Sequence, residues 1–223
     1  MAEFRTLASA ARPAVEVNRV LRNTYLLLAF TVAFACVTGT VAAAMNVPFL
    51  GGISGLIVYL VGFFGLSYLV NRTANSVWGL FWTFMFTGFI GFAAGPIVGY
   101  YLAVHPGVVA QALGVTAATF FGLSLYTITT KRDFSFLRSF IVIGFFVVIG
   151  VIICSLFFDL SAFAAAISAA MVLVACALML YQTSEIVLGG ETNYIIATNN
   201  LFVSIYLLFM NLLSLFGIMG GDD

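Results

Sequence analysis

Seven stretches of this chain are long and apolar enough to cross a bilayer, and all of its lysines and arginines fall on one side of the alternation they create. The stretches cover about residues 23–45, 49–70, 77–104, 108–129, 137–158, 162–185 and 194–218, against the ~20 mostly apolar residues a spanning helix needs. Arg5, Arg12, Arg19 and Arg22 precede the first stretch, and Arg72 separates the second from the third. Lys131, Arg132 and Arg138 sit between the fourth and the fifth. The turns on the other side, Asn46-Val47-Pro48, His105-Pro106 and Asp159-Leu160-Ser161, carry no basic residue. Lysine and arginine collect in short cytoplasmic loops. The pattern therefore predicts seven spans, a cytoplasmic N-terminus, and a C-terminus outside at Asp222 and Asp223.

The composition agrees with lipid as the main solvent. Hydrophobic residues make up 63% of the 223 positions and charged residues only 7%, where a soluble domain carries about 25% charged residues. Eight basic and eight acidic side chains balance, so no net charge draws the chain to nucleic acid. Each apolar run is apolar all round, whereas barrel strands are ~10-residue alternating segments. The expected fold is thus an all-α integral membrane protein. Its expected organisation is a cytoplasmic leader over residues 1–22, one transmembrane domain over 23–218 and a short tail over 219–223. Ala42, Ala43 and Ala44 mimic a signal-peptide cleavage site. The run before them exceeds the ~7–15 apolar residues of a signal sequence, which reads as a retained first span.

Polar residues inside the spans mark where function can reside, because they are costly in hydrocarbon. In the seventh span Asn193, Asn200, Ser204, Asn211 and Ser214 return to one face at ~100° per residue. That stripe must face protein or a wet cavity, with Asn200 inward and Phe202 outward. The sixth span is its natural partner. It is rich in small residues and ends in Tyr181-Gln182-Thr183-Ser184-Glu185, with Gln182 and Glu185 near one face. In the third span Gly91, Gly95 and Gly99 recur at four-residue intervals around Pro96. They suit close helix packing, or a hinge where Pro96 removes a helix hydrogen bond.

Other chemistry is missing. No acid sits in the middle of a span, and no P-loop, HExxH or GxSxG occurs. Cys36, Cys154 and Cys176 lie in apolar runs without CxxC spacing, as packing residues do. His105, the single histidine, stands in a turn. No enzyme, metal site or cofactor is expected.

Two regions resemble a known family. Phe120 to Tyr126, running into Thr129-Thr130-Lys131-Arg132-Asp133-Phe134, resembles the fourth-span signature of the Bax inhibitor-1 (transmembrane Bax inhibitor motif) family. Leu180 to Ile186, Gly189 to Tyr194, Ser204-Ile205-Tyr206 and Asn211-Leu212-Leu213 look like its bacterial YccA-like branch. Span count, order and orientation agree, so the resemblance covers nearly the whole chain. It implies six helices arranged around a central, polar-striped seventh. It also implies a link to a pH-sensitive calcium leak that uses two aspartates on the last two spans. Gln182 and Leu208 stand at those two places here, and neither titrates between pH 5 and 8. Relatives of the YccA type are associated with FtsH, a membrane-anchored AAA protease, as substrate and modulator.

Two functions follow as expectations. One is a multi-pass protein of the bacterial inner membrane that modulates other membrane proteins, with an FtsH-like protease as candidate partner. The other is a calcium or proton leak, weakened by loss of the aspartate pair and governed by Arg72, Asp133, Glu185 and the asparagine stripe. The candidate pathway or regulatory residues are Arg72, Asp133, Gln182, Glu185, Asn200, Ser204 and Asn211. The candidate hinge is Gly91, Gly95, Pro96 and Gly99.

Overall fold

A computed structural model describes residues 14–49, 51–155 and 157–220. Seven helices account for nearly all of them: α1 Ala14–Ala44, α2 Gly52–Thr73, α3 Val77–Val104, α4 Pro106–Thr130, α5 Leu137–Ser155, α6 Ala164–Val187 and α7 Tyr194–Met219. A 3₁₀ turn, Ser161–Phe163, leads into α6. All seven are long and apolar enough to cross a membrane, and no strand occurs among the described residues.

Local chemistry sets the helix ends. Pro106 opens α4, where its missing N–H costs nothing and its fixed φ suits the first turn. Lys131 closes α4 in the left-handed region at φ 50°, with its N–H on the Thr127 carbonyl at 2.9 Å. Asn193 caps α7, its Oδ1 accepting from the amides of Ile195 at 2.9 Å and Ile196 at 3.4 Å. The first helix begins earlier than the hydropathy of its span predicts. It is continuous from Ala14 for 31 residues, or about 46 Å against a hydrocarbon core of ~30 Å. Its first turns, with exposed Glu16, Arg19 and Arg22, therefore project beyond the apolar slab. The expected leader thus divides: residues 14–22 belong to α1, and residues 1–13 lie outside the described residues, as do Asp222 and Asp223.

Long-range hydrogen bonds show that the basic segments share one end of the bundle. The Asn193 amide at the start of α7 donates to the Ala74 carbonyl after α2 at 3.1 Å and to Asn75 Oδ1 at 2.9 Å. The Thr198 hydroxyl, one turn into α7, reaches the Thr24 carbonyl of α1 at 3.2 Å. Ser184, near the end of α6, ties down the loop after α4, accepting from the Phe134 amide at 3.2 Å and donating to the Arg132 carbonyl at 3.0 Å. Arg22, Arg72, Lys131 and Arg132 therefore gather at the same end, and the helices alternate in direction.

The most extensive contact joins α1 to α3. Small residues allow it. A Cβ built on Gly95 would lie 2.7 Å from the Gly39 carbonyl oxygen and 2.5 Å from the Ala42 Cβ. One on Gly99 would lie 3.0 Å from the Ala43 Cβ. Helix α3 runs unbroken through Pro96.

Helix α7 packs against α1, α2, α3, α4 and α6. Leu201, Leu208 and Leu213 on α7 are fully buried, together with Phe86 and Ile90 of α3 and Val70 of α2. The fifth helix differs. Among the described residues it approaches only α6, through Gly144 seated against Val174, and Gly144 is its one buried residue there. Large apolar side chains such as Phe30, Phe64, Phe121 and Phe146 are exposed on the outer faces. In water such a surface would drive association; in a bilayer it meets its own solvent.

Candidate functional site between the last two helices

The centre of the candidate site is a neutral hydrogen bond between α6 and α7. The Ser204 hydroxyl, fully buried, reaches Gln182 Oε1 at 2.8 Å and the Asn200 carbonyl of its own helix at 3.2 Å. Nearly three turns along α7, Ser214 accepts from the Ser168 hydroxyl of α6 at 3.2 Å. The stripe thus faces α6 at Ser204 and Ser214. Asn193 instead anchors the start of α7 to the segment after α2. Asn211 turns its amide back onto the Leu207 carbonyl at 2.7 Å. Asn200 is half-buried, and only its backbone carbonyl enters the network.

Two side chains depart from the helical-wheel reading. Phe202, expected to face outward, is only 3% exposed and meets Phe86 edge-on with ring centroids 6.3 Å apart. The reason is packing: α7 contacts five other helices, and the face opposite the stripe meets α3 rather than lipid. Asn199, outside the expected stripe, is 2% exposed, and its Oδ1 has no hydrogen-bond partner among the described residues. Phe202→Ala is accordingly expected to cost about 3–5 kcal/mol. Asn200→Leu should cost no more than the ~0.6 kcal/mol of an average interhelical polar contact. Thermal unfolding in detergent gives the order, and the reverse order would restore an outward Phe202.

The remaining candidates are spread around this centre. Glu185, half-buried on α6, uses its backbone carbonyl to accept from the amides of Gly190 at 2.7 Å and Glu191 at 3.0 Å. A Cβ on Gly190 would stand 2.6 Å from its carboxylate. Asp133 is exposed in the loop that Ser184 holds. Its Oδ1 accepts the Ser135 amide at 2.7 Å, and this bond holds its carboxyl below the usual carboxylate range. Arg72 lies apart on α2 and donates to the Tyr68 hydroxyl one turn back at 2.9 Å. The structure therefore joins Gln182, Ser204 and the Asn200 backbone, places Glu185 and Asp133 near the same end, and leaves Arg72 and Asn211 outside that group. No cluster of His, Cys, Asp and Glu suited to a metal occurs among the described residues.

A second polar group was not anticipated. The Tyr25 hydroxyl of α1 faces the hydroxyls of Ser124 on α4 and Thr183 on α6, yet none of the three has hydrogen-bond geometry with a partner among the described residues. Ser184, which clamps the loop after α4, was also missed. Each is an ordinary hydroxyl in sequence, and only the assembled bundle brings it to its neighbours.

Comparison with known proteins places this arrangement. The family model described as inhibitor of apoptosis-promoting Bax1 matches residues 17–221. An uncharacterized protein of Pseudomonas aeruginosa is 50% identical over 219 residues, 97% of each chain. The modulator of FtsH protease YccA of Escherichia coli is 44% identical over 206 residues, 92% of each chain. A membrane protein of Vibrio cholerae is 40% identical over 98% of this chain and 97% of its own. A match that runs from the first turns of α1 past the end of α7 leaves none of the seven helices outside it, and this chain belongs to the Bax inhibitor-1 family.

Proposed function

We propose that this protein modulates a membrane-anchored AAA protease of the FtsH type. The observation that carries the reading is its 44% identity, over 92% of both chains, to a protein described as a modulator of FtsH protease. A protein of the same sequence relationship is described as an inner membrane protein, which supports a multi-pass location in that membrane. The one-sided basic residues support a cytoplasmic N-terminus and an outside C-terminus, and reporters fused at the two ends would read opposite compartments. The α6–α7 interface supports a binding role over ion conduction. Where a titratable pair would serve a leak, it has an amide bonded to a hydroxyl and a buried leucine at 208.

The test is co-purification from bacterial membranes, combined with the decay of a membrane-protein substrate of the protease. The protease should co-purify with the tagged protein, and excess protein should slow substrate decay. A form beginning at Ala14 keeps α1 intact and tests whether residues 1–13 couple the bundle to the protease; it should insert but be turned over more slowly. Unchanged decay together with no co-purification would sink the reading.

A further inference from the structure

Three buried hydroxyls from three helices converge near the basic end of the bundle. The Tyr25 hydroxyl of α1 faces those of Ser124 on α4 and Thr183 on α6. Ser124 is 3% exposed and Thr183 is fully buried, and none of the three hydroxyls has a hydrogen-bond partner among the described residues. The Tyr25 ring fixes the approach, tilted against Phe120 one turn before Ser124 with ring centroids 5.7 Å apart. Other hydroxyls in the spans satisfy themselves locally. Thr73, Thr83, Thr116, Thr127 and Thr130 each donate to the carbonyl four residues back, the usual recourse of a hydroxyl inside a helix. Ser124 and Thr183 forgo that bond.

We propose that these three hydroxyls hold one ordered water molecule, which bridges α1, α4 and α6. Buried polar groups are almost always hydrogen-bonded, and three orphans aimed at one spot are satisfied together by one small polar ligand. There is room for it, because α1 and α4 make no close backbone approach among the described residues and Tyr25 reaches across the gap. The number of partners suits water, which takes about two to four inside a protein. Each hydroxyl offers one donor and spare lone pairs, so the water can donate two bonds and accept the third. A calcium ion wants about six to eight oxygens, carboxylates among them, whereas these three groups are uncharged. Access favours water as well. Ser124 stands six residues before Thr130, the last of α4, and Thr183 four before Val187, the last of α6. Those offsets are about 9 and 6 Å at 1.5 Å per residue, a short path from the basic end. The bridge also joins α1 to the clamp by which Ser184, next to Thr183, holds the loop after α4.

Hydroxyl-radical labelling by a synchrotron X-ray pulse tests this on the detergent-purified full chain, because radicals born from a bound water mark the side chains beside it. Met179, 1% exposed and one turn before Thr183 on α6, is the reporter. It should be labelled in the unmodified protein and lose the label in Ser124→Ala with Thr183→Val, which removes two of the three hydroxyls at nearly unchanged volume. Met219, exposed at the far end of α7, should label alike in both and normalises the dose. Met179 unlabelled in the unmodified protein, or labelled equally in the folded double variant, would overturn the site. If the variant fails to fold, a density map of the unmodified protein that resolves ordered water decides. Density between the three hydroxyls is expected. Hydroxyls bonded directly to one another with nothing between them would overturn the proposal, and density with about six oxygen ligands would overturn water in favour of a cation.

Discussion

Replacing Gly91 by leucine is expected to force the first and third helices apart. A Cβ at Gly91 would meet the Ala35 carbonyl oxygen, with the Ala35 Cα at 2.7 Å and the Thr38 hydroxyl at 2.5 Å. Two of these neighbours are backbone atoms of α1, which cannot swing aside as a side-chain tip can. Moving the whole helix would also part Gly95 from Gly39 and Gly99 from Ala43. In a bilayer, helices are held largely by such van der Waals contact, since lipid tails are as apolar as leucine. Overpacking a core by a few atoms costs about 1–3 kcal/mol, and leucine against backbone belongs at or above the top of that range. Gly122→Leu is the control. A Cβ there meets nothing within 4 Å, so the change should stay within about 0.5 kcal/mol. Thermal unfolding in detergent separates the two, and similar losses at both positions would show that the α1–α3 seam is not close-packed.

The second large effect is expected from Leu208→Asp. Leu208 is fully buried on α7, one turn beyond Ser204. A charged side chain at the centre of a spanning helix costs about 2.5–3.5 kcal/mol on insertion scales. The loss should depend on pH in one direction. A carboxyl at this depth is penalised only when ionised, so the variant should be least impaired below pH ~4, where the acid is protonated folded or unfolded. It should lose stability as pH rises from there. Gln182→Asp should be milder, because Gln182 is half-buried and the Ser204 hydroxyl can donate to a carboxylate. Together the two changes would set a pair of acids on one interface, sharing a proton and titrating as a unit. The unmodified protein in liposomes should show little calcium flux, with no pH dependence between about pH 6 and 8, since neither glutamine nor leucine titrates. A variant whose stability ignores pH, or a steeply pH-dependent flux from the unmodified chain, would refute this account of the interface.

How much of this could be read in advance varies with the reach of the forces involved. The third span was legible to both ends because Ser76 and the His105-Pro106 turn punctuate it locally. Hydropathy marks only the apolar part of α1, which starts nine residues after the helix itself, since it excludes Asn18, Arg19 and Arg22 while helix formation tolerates them. Ser204 was identified because a polar residue in hydrocarbon needs a partner, and Gln182 supplied it. Adjacent asparagines show where the reasoning stops. Asn199 and Asn200 differ by 100° around α7, and which one is buried depends on five neighbouring helices. Phe202 failed for the same reason. The meeting of Tyr25, Ser124 and Thr183 involves three distant spans, and no spacing announces it.

The contacts of α7 with five other helices also have a consequence in time. The chain leaves the ribosome from its N-terminus, so α7, the helix with the most neighbours, is made after the six it packs with or follows. At roughly 5–20 residues per second, the 26 residues of α7 take about 1–5 s. Throughout that interval Gln182 lacks the Ser204 hydroxyl, Ser168 lacks Ser214, and Phe86 lacks Phe202. The unfinished bundle presents unpaired polar groups and an open apolar seam, and only the arrival of α7 closes it. Arrest of synthesis before α7 would leave a six-helix intermediate marked for quality control by the surface its last helix was due to cover.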